Sequence, residues 1–201
     1  MDFNQVEEKT DMDICKKRAH AISQEIESYI GHGPLEVMEF GCKTGLISLN
    51  LKHKISSGLM IDSSKENIDK LNQTLKNQHI NHLKTFTGDI LTSDLDQTFD
   101  VIYASMAMSP IKDVQSIINK LSSYLKNHGK LIIVDLLPDN GNFYSEESNF
   151  EGHHGFKINE MTTYLTNAGL KDVLGRKFYS GYKSLSDKNH PYSLFSVVGI
   201  K

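Results

Sequence analysis

A glycine-bearing turn and two aspartates beyond it are the parts of this sequence best suited to holding a ligand. The turn reads Glu39-Phe40-Gly41-Cys42-Lys43-Thr44-Gly45 and follows an apolar run at Leu35, Val37, Met38 and Phe40. Glycines in such a turn let the backbone approach a ligand closely and open the next helix, whose first amides can receive a carboxylate. Asp62 closes Gly58-Leu59-Met60-Ile61-Asp62, 21 positions after Gly41. That spacing suits a carboxylate accepting hydrogen bonds from ribose hydroxyls, although an aspartate there can equally cap a helix starting near Ser64. Asp89, in Thr87-Gly88-Asp89-Ile90, stands where it can accept a hydrogen bond from an adenine amino group, or where Gly-Asp merely makes a turn. Three acids at three successive strand ends narrow the reading more than any one of them.

Histidines are the other residues with chemistry to offer. His153 and His154, in Glu151-Gly152-His153-His154-Gly155-Phe156, fall in a loop before a helix, where an imidazole titrating near neutrality could face a substrate or simply cap the loop. They are candidates for catalysis and no more than that. His79 and His82 lie in a polar loop, and no Cys or His cluster has zinc spacing, so no metal site is expected. Met106 and Met108 fit packing at a sheet edge, with soft methionines also suiting an apolar ligand wall.

The elements that must position these groups alternate. A helical stripe runs from Ile14 to Ile30 and is closed by Gly31, Gly33 and Pro34, so residues 1–33 form an N-terminal capping helix ahead of an α/β core at 34–201. Strands are expected at Leu35–Phe40, Gly58–Ile61, Leu83–Thr87, Phe99–Ala104 and Leu131–Val134. Helices fall between them at Leu46–Leu51, around Ile68, Leu71 and Leu75, and from Val114 to Leu125. Such alternation implies a mainly parallel sheet with helices on both faces. After a helix at Asn159–Asn167 and a C′ glycine at Gly169, two segments, Val173–Tyr179 and Tyr192–Ile200, have no helix between them and suit an antiparallel pair.

With these residues in place, the chain resembles the class I S-adenosylmethionine-dependent methyltransferases over nearly its whole length. Val37 to Gly45 resembles the family's first motif, and Asp62 the acid after its second strand. Gly88-Asp89-Ile90 is similar to its adenine-contacting segment, and Phe99 to Ser105 to its fourth-strand motif. Leu125-Lys126-Asn127-His128-Gly129 resembles the turn before its fifth strand. The resemblance implies a Rossmann-like, mainly parallel seven-stranded sheet whose last strand is inserted antiparallel between the fifth and sixth. It also implies S-adenosylmethionine as cofactor, with Gly41 and Gly45 along its methionine half, Glu39 towards its ammonium, Asp62 on its ribose, and Asp89 and Ile90 on its adenine. Cys42, Lys43, Ser63 and Ser105 complete the expected cofactor-binding set. The sequence departs from the family pattern at Lys43, where glycine is usual, at Asn127-His128, which replaces Pro-Gly, and at Ser109-Pro110, where many relatives carry histidines. If the turn needs a positive φ, Lys43 is strained, and Lys43→Gly is expected to tighten the cofactor about tenfold.

Bulk properties set the limits. The 201 residues suit one domain, and 38% hydrophobic with 23% charged residues is ordinary globular composition. A formal charge of -3, without a basic block, argues against a nucleic-acid partner. Two cysteines in no paired spacing and apolar runs far short of the roughly 20 residues that span a bilayer point to a cytoplasmic protein without a membrane segment. With no inserted substrate domain, the expected partner is a small-molecule methyl acceptor, of unspecified identity. Oligomeric state leaves no mark in the sequence. Two rivals stand beside a methyltransferase: a non-catalytic module on the same fold, and a nicotinamide-dependent dehydrogenase, whose Gly-x-Gly-x-x-Gly fingerprint differs from Gly41-x-x-x-Gly45.

Overall fold

The computed structural model describes residues 3–31, 33–144, 150–185 and 188–201. Seven strands form one sheet in the order β3-β2-β1-β4-β5-β7-β6. They are β1 (Leu35–Phe40), β2 (Ile55–Asp62), β3 (Leu83–Thr87), β4 (Phe99–Ser105), β5 (Leu125–Leu136), β6 (Lys171–Leu185) and β7 (Lys188–Ile200). The first five run parallel, and β7 lies antiparallel between β5 and β6.

Alternation along each strand sends side chains to two cores. Val37, Met60, Val101, Tyr103, Ile132 and Val134 face one side, where they pack against α1 (Phe3–Tyr29), α2 (Leu46–Leu51) and α3 (Lys65–Asn77). Met38, Ile61, Ile102, Ala104 and Ile133 face the other, against α4 (Val114–Ser123) and α5 (Ile158–Asn167). Helices therefore cover both faces, as the parallel arrangement requires. Local signals explain the boundaries: Ser64 caps α3 by accepting the Asn67 amide, Asp113 caps α4 through Ser116, and Gly169 follows α5 at φ 83°.

Several elements depart from their expected bounds: β2 begins at Ile55 and not at Gly58, and α4 stops at Ser123 because Leu125 already opens β5. Helix α1 begins at Phe3, well before the apolar stripe. Strand β5 starts at Leu125, not Leu131, because Leu125 pairs with Phe99 and a register shift then absorbs the irregular stretch to Lys130. The terminal hairpin continues through polar residues on both arms, pairing Tyr182 with Pro191 and Ser184 with Asn189. Helix α1 is docked onto this hairpin: Arg176 of β6 grips the buried Glu25 carboxylate through Nε and Nη2, each at 2.8 Å, and Ser196 Oγ donates to Glu25 at 2.6 Å. No helix among the described residues is long and apolar enough to cross a membrane.

Candidate functional site

From β1 the chain moves outward to β2 and β3, then returns to place β4 on the other side of β1. The strand order thus reverses between β1 and β4, and the carboxyl ends of those strands diverge into a crevice. A cavity of about 650 Å³ opens there. Its size falls in the range of small-ligand sites, roughly 300–1,000 Å³.

The turn after β1 forms one wall. Gly41 and Cys42 both donate their amides to the Ile61 carbonyl at 2.9 Å, which folds the turn back over the end of β2. Gly41 has φ 71°, and a Cβ there would lie 2.5 Å from the Cβ of Ala107, so only glycine fits. Gly45 is also left-handed, at φ 76°. Lys43 takes φ 48° without glycine's freedom, so the strain anticipated for it is present. Its amide donates to Asp62 Oδ2 at 2.8 Å, which fixes that conformation.

Asp62, only 8% exposed, is committed on several sides. Besides Lys43 N–H, its Oδ1 accepts the Ser64 amide at 2.9 Å and Asn67 Nδ2 at 3.3 Å. The helix cap proper is Ser64, so Asp62 serves the turn of β1 and the start of α3 together while lining the cavity. Asp89 is exposed at the far side, where its Oδ1 accepts the Leu91 amide at 2.9 Å. Between the two acids the wall is apolar, with Ile61 and the fully buried Ile90.

Of the residues singled out from sequence, Gly41, Lys43, Asp62, Ser63, Asp89 and Ile90 line the cavity. Glu39, Cys42, Gly45 and Ser105 do not. Glu39 points beneath the turn into the core, 2% exposed, where Ser48 Oγ donates to it and shares a 2.6 Å contact with the Tyr103 hydroxyl. Burial pushes its carboxyl up to about 7. The Glu39 side chain thus lies outside the cavity lining and supports the turn from beneath. The Cys42 thiol is likewise buried and raised well above the usual thiol range. His153 and His154 also stand outside the lining. His153 is taken up in loop structure, its Nε2 3.0 Å from the Ile111 carbonyl and its amide donating to the Ser109 carbonyl at 2.7 Å. The exposed His154 packs edge-on against Phe150 at 5.5 Å. No group of three metal-ligating side chains occurs among the described residues.

Two parts of the site have no counterpart in the sequence reading. Asp135, at the end of β5, is fully buried and held up to about 6 by desolvation, with the Lys43 charge acting in the opposite direction. It accepts the Met108 amide at 3.0 Å, Ser109 Oγ at 3.2 Å and the Leu136 amide at 2.8 Å, and so pins the loop after β4. An acid closing the apolar run Leu131-Ile132-Ile133-Val134 is a signal that could have found it. The other part is an aromatic wall, Tyr144 and Phe150, stacked at 4.2 Å over the cavity. Both lie in a polar loop with no periodicity to mark them.

Residues 14–176 match the family model described as a methyltransferase domain. An uncharacterized methyltransferase of Schizosaccharomyces pombe is 30% identical over 159 residues, covering 71% of this chain and 56% of that protein. A malonyl-[acyl-carrier protein] O-methyltransferase of Calditerrivibrio nitroreducens is 27% identical over 165 residues, covering 82% of this chain and 60% of that protein. The chain thus spans little more than half the length of these curated relatives. In fold it is similar to phosphoethanolamine N-methyltransferase 2 of Haemonchus contortus, solved with phosphomonomethylethanolamine and S-adenosylhomocysteine. That likeness has a TM-score of 0.73 at 9% identity, over 90% of this chain and 52% of that one.

Proposed function

We propose, from the fact that this chain belongs to the methyltransferase domain family, that it binds S-adenosylmethionine in the crevice between β1 and β4 and methylates a small molecule there. The observation that carries the reading is the pair of carboxylates at the ends of β2 and β3, Asp62 and Asp89, flanking apolar Ile90 on one cavity beside the glycine turn. That set suits an adenosine: hydroxyl donors for one acid, an amino donor for the other, and an apolar slot for a flat base.

When bound, S-adenosylmethionine supplies a methyl group on a sulfonium, open to in-line attack by an acceptor. What the chain contributes is position. Asp62, fixed by three donors, would hold the ribose, and Asp89 with Ile90 the adenine. Gly41 lets the backbone approach, and Lys43 places an ammonium on the same wall. Tyr144 and Phe150 close the opposite side, excluding water and confining the acceptor, while Asp135 keeps the loop from Met106 to Ser109 rigid. Alignment of this kind is the main rate contribution a protein makes to a displacement. His153 lies outside the cavity lining, with its Nε2 committed to the Ile111 carbonyl, which favours an acceptor that needs no general base.

Calorimetric titration with S-adenosylhomocysteine and, separately, with NAD tests the reading. Saturable binding of the adenosyl ligand and none of NAD is expected. Tight binding of NAD with no response to S-adenosylhomocysteine would end it.

A further inference from the structure

The half of the cavity left to the acceptor carries chemistry of its own. Among the described residues five that are not glycine have positive φ, and two of them, Lys43 at 48° and Met106 at 50°, line the cavity. Strained backbone persists where surrounding bonds impose it, and it concentrates at ligand sites. The Lys43 amide is held by Asp62 Oδ2 and the Met106 amide by the Val134 carbonyl, each at 2.8 Å, so both side chains leave turns that are already fixed. Lys43 is exposed, and its ammonium makes no hydrogen bond and no ion pair within 4.0 Å among the described residues. Its charge is felt at Asp135, at the end of β5, where it opposes the larger effect of burial on that carboxyl. Asp62 closes β2 and Asp89 follows β3, on the other side of β1 from β5. The ammonium thus serves the β4–β5 side of the crevice, away from the acids assigned to the adenosine. Met106, bonded to β5 through its amide, stands on that side too, and the stacked rings of Tyr144 and Phe150 add apolar surface to the lining.

We propose that Lys43 determines acceptor specificity, and that the acceptor is a small carboxylate with an apolar, ring-sized body. The body lies against Met106, Tyr144 and Phe150, and the carboxylate faces the Lys43 ammonium. A polarizable thioether and two stacked rings suit a flat apolar surface. The ammonium is a compact point charge that attracts an anion and repels a protonated amine. The lining suits one negative charge and not two, because its two lysines, Lys43 and Lys112, stand against three aspartates, Asp62, Asp89 and Asp113. An anionic acceptor also offsets the repulsion between the ammonium and the sulfonium of the cofactor. This acceptor class rests on the methyltransferase reading, because it assigns an occupant to the part of the cavity that the cofactor leaves open.

The test is a set of titrations of the protein saturated with S-adenosylhomocysteine. The probes are 3-phenylpropionate, its neutral analogue 3-phenylpropanamide, the cation 3-phenylpropylamine, and phenyl phosphate as a more highly charged anion. The acid should bind about fivefold more tightly than the amide, the gain being limited by the exposure of Lys43, and the amine should bind more weakly than either. Lys43→Gln, which keeps the backbone strain and part of the aliphatic stem, should abolish the preference for the acid, and Lys43→Arg should retain it. Affinity for S-adenosylhomocysteine should stay within about twofold of wild type in both variants, which also shows that they are folded. A lysine that only shaped the turn would change the three phenylpropyl probes alike and would not be rescued by arginine. Equal binding of acid and amide, a preference that survives Lys43→Gln, or phenyl phosphate binding more tightly than the acid each overturns the assignment. So does a loss of about tenfold or more in S-adenosylhomocysteine affinity in Lys43→Gln, which would give the ammonium to the cofactor's own carboxylate. If S-adenosylhomocysteine does not bind the wild-type protein, the methyltransferase reading fails and the acceptor class with it. If it binds and the acid preference is missing, the failure belongs to the acceptor class alone.

Discussion

Replacing Lys43 with glycine should stabilise the protein while leaving its grip on S-adenosylhomocysteine within about twofold of wild type. At φ 48° the lysine occupies a region that costs an L residue roughly 1–2 kcal/mol. Glycine removes that strain but gives the unfolded chain more freedom, worth about 0.4–1 kcal/mol in the other direction. The net gain is about 0.5–1 kcal/mol, or up to roughly 4 °C in melting temperature for a domain of this size. The bond from the residue 43 amide to Asp62 Oδ2 comes from the backbone and survives the substitution. That bond, with the two amides on the Ile61 carbonyl, holds the turn in its conformation before any ligand arrives. Strain relief therefore appears in folding and not in binding, and the tenfold tightening expected from the sequence departure does not follow. The ammonium acts separately: S-adenosylmethionine and S-adenosylhomocysteine differ by one sulfonium charge, so a shift in the ratio of their affinities reports the charge of Lys43. Urea unfolding and paired calorimetric titrations on one preparation measure all three quantities. A glycine variant less stable than wild type, or one that binds S-adenosylhomocysteine ten times more tightly, would show that the turn is not pre-set as described.

Other substitutions probe the acids and the histidine. Asp62→Ala removes the acceptor of three donors, so it should lower stability by about 1–3 kcal/mol and weaken S-adenosylhomocysteine in the same variant. Loss of affinity with an unchanged melting temperature would mean that those bonds do not hold the turn. Glu39 retains its proton in the folded state up to about pH 7, against 4.5 ordinarily, so its ionised form opposes folding increasingly as pH rises through that window. The stability of Glu39→Gln relative to wild type should accordingly grow by about 3 kcal/mol between pH 4 and pH 8, and a flat difference in denaturant titrations would contradict the buried charge. His153→Ala should cost about 1 kcal/mol of stability through the lost bond to Ile111 and leave ligand affinity alone. A large change in affinity with normal stability would return His153 to the site.

Much of this architecture was legible because the inner strands of a covered parallel sheet are apolar runs such as Leu131–Val134, and the edge strand Leu83–Thr87 and the helix Leu46–Leu51 were bounded to the residue. The hairpin was legible only where β7 packs inside the sheet. Beyond Tyr179 and before Tyr192 both arms are polar and leave no period to read. At the site, spacing from the turn located Asp62 and Asp89 because a strand end is a place that sequence order fixes. Spacing could not say which way Glu39 points, since neighbouring residues of a strand face opposite sides: Phe40 lines the cavity while Glu39 lies in the core beneath it.

The position of β7 between β5 and β6 also governs the order in which the molecule can be assembled during synthesis. Strand β5 leaves the ribosome with one flank unpaired, a flank formed by the apolar run Leu131–Val134, and β6 follows with no neighbour to join. The two gaps close together when β7 arrives. Translation from the start of β6 to the end of β7 takes roughly 2–6 s at ordinary elongation rates, and throughout that interval β5 is an open, sticky edge of the nascent sheet. Chaperone demand should therefore be concentrated in the interval before β7 is complete, and a ribosome stalled before Lys188 would present a species prone to pair with other chains.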